Sequence, residues 1–230
     1  QLSAALFDLL WQRYQANREA SRNSAYVAEA EHFARRSLQN IALSYLMLSG
    51  KAEVLAACLE QFESADNMTE RLTALAVLVN SPFEQEKAAA LASFADFFKD
   101  NPLVMDQWFS VQAACALPGA LQRVEQLMQH PAFTLKNPNK VRALIGAFAG
   151  QNLLGFHQAD GSGYRFLADQ VITLNALNPQ IASRLLAPLT RWAKYGSTRQ
   201  ALMKAELQRI LASGELSSDV FEVVSKSLAG

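Results

Sequence analysis

The sequence predicts an all-α fold, an irregular α-superhelix of antiparallel helix pairs. At three places an Asn-Pro dipeptide stands directly before a stretch in which apolar residues recur at the three- and four-residue spacing of a helix. Strict alternation of polar and apolar residues over the length of a strand is not found. In the second half of the chain the Asn-Pro dipeptides lie about forty residues apart, near the period of two-helix solenoid repeats.

Capping residues mark where the helices begin. Asn101-Pro102, Asn137-Pro138 and Asn178-Pro179 each offer an asparagine that can cap free amide groups and a proline for the first helical position. Proline is tolerated there because the amide that it lacks would have no partner within the helix. Ser81-Pro82 is predicted as a fourth start of the same kind.

Apolar stripes define the courses of the helices. The stripes after Pro138 and Pro179 consist of Val141, Leu144, Ile145 and Phe148, and of Ile181, Leu185, Leu189 and Trp192. Further helices are predicted at 38–48, 54–62, 72–79 and 91–98, and around 202–211 and 220–228. Because short turns join them, we expect antiparallel pairs in the manner of HEAT and armadillo solenoids. Residues 1–230 are predicted to form one helical domain.

Charge and composition argue against several classes of protein. The 21 lysine and arginine residues balance the 21 aspartate and glutamate residues, whereas a nucleic-acid partner calls for a basic surface. No apolar run approaches the roughly 18 residues of a membrane-spanning helix. Cys58 and Cys115 lie in apolar helical stretches and are predicted as buried free thiols of a reducing compartment, the cytoplasm. We expect neither a nucleic-acid nor a membrane partner.

The chain begins inside a helical pattern. Residues 1–4 lack the basic start and apolar run of a secretory signal peptide. Leu2, Leu6, Leu9 and Leu10 share one side of the first helix, whereas the end helix of a free-standing repeat protein has a polar outer face. We therefore predict a piece of a longer protein.

One connection interrupts the succession of helices. The segment 153–164 contains Gly155, Gly161 and Gly163 and is predicted as the longest glycine-bearing loop. Ordered loops on a rigid scaffold are frequent places for function. Its Gly-Ser-Gly-Tyr run follows no predicted strand and lacks the lysine of a phosphate-binding loop, so nucleotide binding is not predicted.

No catalytic centre and no metal site are predicted in this chain. His32, His130 and His157 do not show the His-Glu-x-x-His spacing that places two imidazoles one helical turn apart. A Gly-x-Ser-x-Gly nucleophile elbow is absent, and apolar surroundings raise the pKa of a cysteine thiol. The aromatic residues at helical spacing are predicted as core: Phe94, Phe97, Phe98, Trp108 and Phe109.

Three polar residues are candidates for ligand binding. Gln180 and Arg184 are four residues apart and share a helix face, where an amide and a guanidinium suit a carboxylate or peptide carbonyls. Arg142 precedes Gly146 and Gly150 by one and two turns, so its face of the helix has little bulk. A solvated helix face explains the same spacing and remains the alternative.

Several segments together resemble a known family. The run from His130 to Arg142 reads HPAFTLKNPNKVR and leads into LIGAF at 144–148, and FH, DGSGY and NPQIASRL follow at 156–157, 160–164 and 178–185. This combination is similar to the C-terminal domain of the bacterial aminopeptidase N family, zinc peptidases of the gluzincin type. The similarity is dense from His130 to about Tyr195 and looser over the rest of the chain.

The resemblance implies a function for the domain. In that family a helical superhelix caps a thermolysin-like catalytic domain, encloses the substrate cavity and restricts access to small peptides. The zinc ligands and catalytic residues belong to the upstream domain, so zinc is expected outside this chain. By motif match, Arg142, Gln180 and Arg184 are expected to face the cavity and bind the peptide tail. The implied partners are the catalytic domain of the same polypeptide and small peptide substrates.

Two other interpretations come from different classes of function. A free-standing helical-repeat scaffold would bind a protein partner in its concave groove. A helical-repeat protein that binds nucleic acid is disfavoured by the zero net charge.

Overall fold

The computed structural model describes residues 5–22 and 26–229, and the regular elements within these ranges are helices. The described residues form two compact units, one up to Asp100 and one from Asn101 onward. The predicted apolar side of the first helix is exposed at Leu6 and Leu9, which are 38% and 52% exposed. Leu2 and the rest of residues 1–4 lie outside the described part of the chain.

In the first unit, consecutive helices pack against each other. The helices are α1 (Phe7–Arg22), α2 (Ala30–Met47), α3 (Ala52–Ser64), α4 (Met68–Val79) and α5 (Glu84–Phe98). The most extensive contacts join α1 to α2 and α3 to α4, as expected for a succession of helix pairs. Leu43, Leu46, Leu75 and Leu78 are fully buried between them. The predicted helices at 38–48, 54–62, 72–79 and 91–98 are thus confirmed, and all four start earlier than predicted.

A buried ion network also holds the first unit together. Arg18 on α1 is nearly fully buried and lies 3.1 Å from the carboxylate of Glu60 and 2.8 Å from that of Glu70. Burial opposes the ionisation of Glu60, but hydrogen bonds from Arg18, Arg22 and Ser64 outweigh it and lower the pKa of this carboxyl to about 2. The network therefore ties α1 to α3 and α4 through charged hydrogen bonds.

The second unit contains shorter helices. They are α6 (Pro102–Ala113), α7 (Ala120–Leu127), α8 (Pro138–Val141), a π-helical segment (Arg142–Gly146), α9 (Ala147–Gln151), α10 (Leu153–Phe156), α11 (Ser162–Leu177), α12 (Pro179–Leu185), a 3₁₀ helix (Leu189–Lys194), α13 (Ser197–Leu211) and α14 (Ser218–Ala229). The predicted stripe after Pro138 is fully buried at Val141, Leu144, Ile145 and Phe148.

The three Asn-Pro starts are confirmed as capped helix starts. The side chain of Asn101 accepts a hydrogen bond from the amide of Val104, and that of Asn178 accepts one from the amide of Ile181. Asn137 caps α8 in the same way, and proline occupies the first turn in each case. The Asn-Pro dipeptides therefore mark the starts of three helices in the second unit.

The Ser81-Pro82 prediction was wrong, because α5 begins only at Glu84. The hydroxyl of Ser81 donates to the carbonyl of Leu78 and accepts from the amide of Phe83, which precedes α5. This serine therefore closes the end of α4 and caps no amide within α5. Phe97 was also wrongly predicted as core. It is 73% exposed and lies beneath the guanidinium of Arg71, 5.7 Å from the ring centre.

The predicted long loop at 153–164 is mostly helical. Residues 153–156 form α10, and α11 begins at Ser162, which leaves only five residues between the two helices. Asn152 caps α10 by accepting a hydrogen bond from the amide of Gly155. Over residues 5–22 and 26–229, no helix is both long and apolar enough to cross a bilayer.

Candidate functional site

The candidate site is built on the helix that starts at Pro138. Lys140 in its first turn is nearly fully buried, and its ammonium lies 2.8 Å from the carboxylate of Asp106 on α6. The same ammonium donates to the carbonyl of Pro102 at 3.1 Å. Because an unpaired buried charge is strongly disfavoured, this pair fixes the position of α8 on α6.

The π-helical segment 142–146 follows directly. The hydroxyl of Ser110 on α6 donates to the carbonyl of Ala143 at 2.9 Å, so the side chain of another helix occupies one carbonyl of this turn. Single π-helical turns inside α-helices are frequently found at functional sites. The segment begins at Arg142, which is exposed, and ends at Gly146, where an added Cβ atom would lie 3.8 Å from the side chain of Leu185 on α12.

Close packing holds α10 in place. The buried amide of Asn152 donates to the carbonyls of Ala113 and Cys115 at 2.9 and 2.7 Å. A Cβ atom on Gly155 would lie 2.7 Å from the Cβ of Ala120, which is closer than real Cβ atoms approach. Glycine is therefore required at this position for α10 to lie against α7.

His157, directly after α10, is held between two tyrosines. Its Nδ1 lies 2.7 Å from the hydroxyl of Tyr164, and its Nε2 lies 3.0 Å from the hydroxyl of Tyr195. Tyr164 is fully buried. The guanidinium of Arg199 donates to the backbone carbonyl of His157 at 3.2 Å. Burial and the positive charge of Arg199 lower the pKa of the imidazole below its ordinary value, so the neutral ring is favoured.

A cleft of about 330 Å³ opens beside this histidine. Its lining comprises Gly146, Ala149, Gly150, Leu153, His157, Arg184, Leu185, Ala187, Pro188, Arg191 and Tyr195. We call it the arginine cleft, after Arg184 and Arg191. Both arginines are exposed, and neither has a carboxylate partner among the described residues. The cleft thus combines two available guanidinium groups with a mostly apolar floor.

The three predicted site residues occupy different positions. Arg184 lines the arginine cleft, together with Gly146 and Gly150, the small residues that follow Arg142 on its helix. Arg142 itself donates to the side chain of Asn139 at 2.7 Å. Gln180 is exposed in the first turn of α12, one turn before Arg184. Arg142 and Gln180 are not among the residues that line the cleft.

Charge is distributed unevenly around this site. Residues 126–159 and 170–205 contain three and five lysine and arginine residues, and no aspartate or glutamate. These two segments supply the whole lining of the arginine cleft. Basic residues are therefore in excess within these two segments, although Lys140 is paired with Asp106 of α6, and the unpaired arginines of the cleft attract anionic groups. This uneven distribution is visible in the sequence and would have pointed to Arg191, which our sequence analysis missed.

A second cleft of about 720 Å³ is also lined by residues of α10. Leu117, Leu121, Leu153, Leu154, His157 and Arg199 contribute to its lining. Leu153 and His157 thus line both clefts. Among the described residues, no group of three or more histidine, cysteine, aspartate or glutamate side chains is arranged to hold a metal ion.

A family model and two aminopeptidases match this chain over most of its length. The family model described as "Domain of unknown function (DUF3458_C) ARM repeats" matches residues 1–229. Aminopeptidase N of Escherichia coli (strain K12) is 41% identical over 230 residues, which cover 99% of this chain and 26% of that protein. Aminopeptidase N of Caulobacter vibrioides is 41% identical over 207 residues, or 90% of this chain and 24% of the relative. The chain thus spans about a quarter of the length of these curated relatives.

A solved structure shares the fold. The crystal structure of Legionella pneumophila aminopeptidase A in complex with aspartic acid superposes with a TM-score of 0.88 and 33% identity. The match covers 99% of this chain and 27% of that one. The predicted all-α, armadillo-like class and the predicted resemblance are therefore both confirmed.

Proposed function

This chain belongs to the DUF3458_C ARM-repeat family, and we propose that it is the non-catalytic C-terminal domain of a zinc-dependent aminopeptidase N. In this proposal it caps the catalytic domain of the same polypeptide and encloses the substrate cavity. Its polar residues contact the tail of the peptide substrate beyond the scissile bond. The domain then acts by positioning and selecting substrates and takes no part in bond breaking.

The observation that supports the proposal most is the position of Arg184. It lines a cleft whose surrounding segments contain eight basic and no acidic residues. A guanidinium binds a carboxylate through two parallel hydrogen bonds, so this environment suits the C-terminal carboxylate of a peptide. Gln180 and Arg142 are exposed, and in this proposal they contact peptide carbonyls outside the arginine cleft.

The proposal also assigns the location of the zinc ion and the cellular compartment of the protein. Among the described residues, no group of three histidine, cysteine, aspartate or glutamate side chains is arranged to hold a metal ion, and in this proposal the zinc belongs to the upstream catalytic domain. We place the protein in the cytoplasm because Cys58 and Cys115 are both buried free thiols. Burial raises the pKa of the Cys58 thiol to about 12, which makes it an unreactive core residue.

Kinetics of the full-length polypeptide test the proposal. Because Arg184 is exposed, Arg184→Ala should fold normally, raise the KM for tripeptides by about tenfold, and change the dependence of kcat/KM on peptide length. Arg165→Ala is the matched control, since Arg165 is an exposed arginine of the same unit that lines neither cleft. Unchanged kinetics in the triple variant Arg142→Ala, Gln180→Ala, Arg184→Ala on peptides of several lengths would contradict the proposal.

A free-standing protein-interaction scaffold is the second candidate, and one observation favours it. Leu38, Ile41, Tyr45 and Leu48 follow one another at helical spacing along α2 and just beyond its end, and each is between 44% and 72% exposed. Apolar patches of this kind mark interaction surfaces. The reading frame upstream of Gln1 distinguishes the candidates. A His-Glu-x-x-His motif in the same frame supports the aminopeptidase domain, and a start codon close to Gln1 without that motif supports the scaffold.

A further inference from the structure

We propose that the arginine cleft binds the C-terminal residue of a peptide whose last side chain is apolar, with Arg184 and Arg191 sharing its carboxylate. This inference rests on the proposed function, because it specifies which peptides the domain favours. It assigns a role in peptide specificity to Arg191 and to the apolar residues Leu153, Leu185 and Pro188 of the cleft.

Two arginines of the cleft are available to bind the C-terminal carboxylate of the peptide. Arg184 lies at the end of α12, and Arg191 lies on the 3₁₀ helix that follows it, and both side chains line the same cleft. Neither forms an ion pair with a described residue, so neither has to give up a partner before it binds an anion. Since segments 126–159 and 170–205 contain no acidic residues, a carboxylate that enters meets no like charge on the elements that line the cleft.

The preference for an apolar side chain follows from the floor of the cleft. Leu185 and Pro188 lie in it, and Leu153 lines it with 64% of its own surface exposed. An apolar side chain that covers Leu153 removes apolar surface of both partners from water, which is favourable. A lysine or arginine side chain would meet the like charges of Arg184 and Arg191, which repel it.

The size and rigidity of the cleft suit one residue. A volume of about 330 Å³ lies within the range of roughly 300–1,000 Å³ for small-molecule sites, so the cleft has room for the terminal residue of a peptide. His157 and Tyr195 both line it, and the hydrogen bonds of His157 with Tyr164 and Tyr195 hold the imidazole in place. A fixed wall reduces the entropy that is lost on binding.

The experiment compares peptides that differ only at the C-terminus, with the full-length polypeptide. The substrates are Ala-Ala-Leu, its C-terminal amide, Ala-Ala-Ala and Ala-Ala-Lys, so the bond that is cleaved is the same. We expect kcat/KM to be about 10–100 times higher for the free acid than for the amide, since a hydrogen-bonded charge pair is lost in the amide. We also expect kcat/KM to be higher for Ala-Ala-Leu than for Ala-Ala-Ala, and higher for Ala-Ala-Ala than for Ala-Ala-Lys.

Two variants assign these differences to the cleft. Arg191→Ala should reduce the ratio of kcat/KM for the free acid to that for the amide about tenfold. Leu153→Ala should reduce the ratio of kcat/KM for Ala-Ala-Leu to that for Ala-Ala-Ala severalfold. Both residues are exposed, so neither change should prevent folding, and Arg165→Ala serves as the control. An acid-to-amide ratio near one in the unchanged enzyme, or a ratio that Arg191→Ala leaves intact, would overturn the inference. If Arg184→Ala still alters the KM in that case, the proposed function stands and only this inference fails.

Discussion

Gly163 packs directly against the backbone carbonyl of Phe156. A Cβ atom on Gly163 would lie 2.3 Å from that carbonyl oxygen and 2.9 Å from the carbonyl carbon. The first turn of α11 therefore lies against the end of α10 at a distance that only glycine permits. This contact places His157 next to Tyr164, which follows Gly163 in the chain.

We expect Gly163→Ala to lower the free energy of unfolding by about 2–3 kcal/mol, because a backbone group cannot move aside for the new methyl group. Gly150→Ala is the matched control. Nothing lies within 4 Å of a Cβ atom at this helical position, so alanine should stabilise the protein by about 0.5–1 kcal/mol. Urea denaturation of both variants provides the measurement. Equal effects of the two substitutions would show that the contact with Phe156 is not tight.

The buried pair of Lys140 and Asp106 gives a second prediction. Lys140→Met leaves the carboxylate of Asp106 without its counter-charge, and we expect a loss of about 3–5 kcal/mol in the free energy of unfolding. The double variant Lys140→Met, Asp106→Leu should recover most of that loss, since two apolar residues replace the pair. Lys99 and Asp96 form an exposed pair, and Lys99→Met should change stability by less than about 1 kcal/mol. A loss in Lys140→Met no larger than in this control would contradict the structure.

The pKa of Glu60 gives a prediction about pH. Its carboxyl is lowered from the ordinary value of 4.5 to about 2 in the folded protein, so the unfolded chain binds more protons between these values. The stabilisation that Glu60 contributes is present above pH 4.5 and is lost as the pH falls toward 2. Glu60→Gln should therefore be less stable than the unchanged protein at pH 7, and the difference should shrink between pH 4.5 and pH 2. Chemical denaturation across this range tests the prediction, and a difference that does not depend on pH would contradict it.

The histidine between the tyrosines gives the fourth prediction. Because the folded pKa of His157 is lowered from 6.5, its contribution to stability is present above pH 6.5 and is lost as the pH falls through the folded value. An NMR titration should give a pKa for His157 below 6.5. Tyr164→Phe should cost about 1–3 kcal/mol, because it leaves a ring nitrogen of His157 without a partner. Tyr45 is 44% exposed, so Tyr45→Phe should have almost no effect. A His157 pKa at or above 6.5 would contradict the position of this imidazole, partly buried between the two tyrosines.

The fold was predictable where local chemistry decides it. The three Asn-Pro starts became capped helices because the asparagine side chain reaches amides only two or three residues away. Ser81-Pro82 carries a similar local signal, yet Ser81 bonds backward to Leu78 and the helix starts later. Phe97 fits the spacing of a core residue, but which side of α5 is covered depends on neighbouring helices that the pattern does not specify.

The site was predictable only in part. Arg184 follows from helix spacing and from the family resemblance, and it lines the arginine cleft. Tyr195 could not be linked to His157, since 38 residues separate them and their meeting depends on how α12 and the 3₁₀ helix pack. The three glycines after Leu153 indicated a loop, whereas Gly155 and Gly163 serve the close packing of helices. Spacing in the sequence does not distinguish these two uses of glycine.

A crystal structure of the full-length polypeptide with a bound tripeptide tests the central claim most directly. We predict that the C-terminal carboxylate of the peptide lies within hydrogen-bond distance, about 3 Å, of the guanidinium of Arg184. A peptide whose tail contacts no residue of 1–230, while its N-terminus lies in the catalytic domain, would contradict the account.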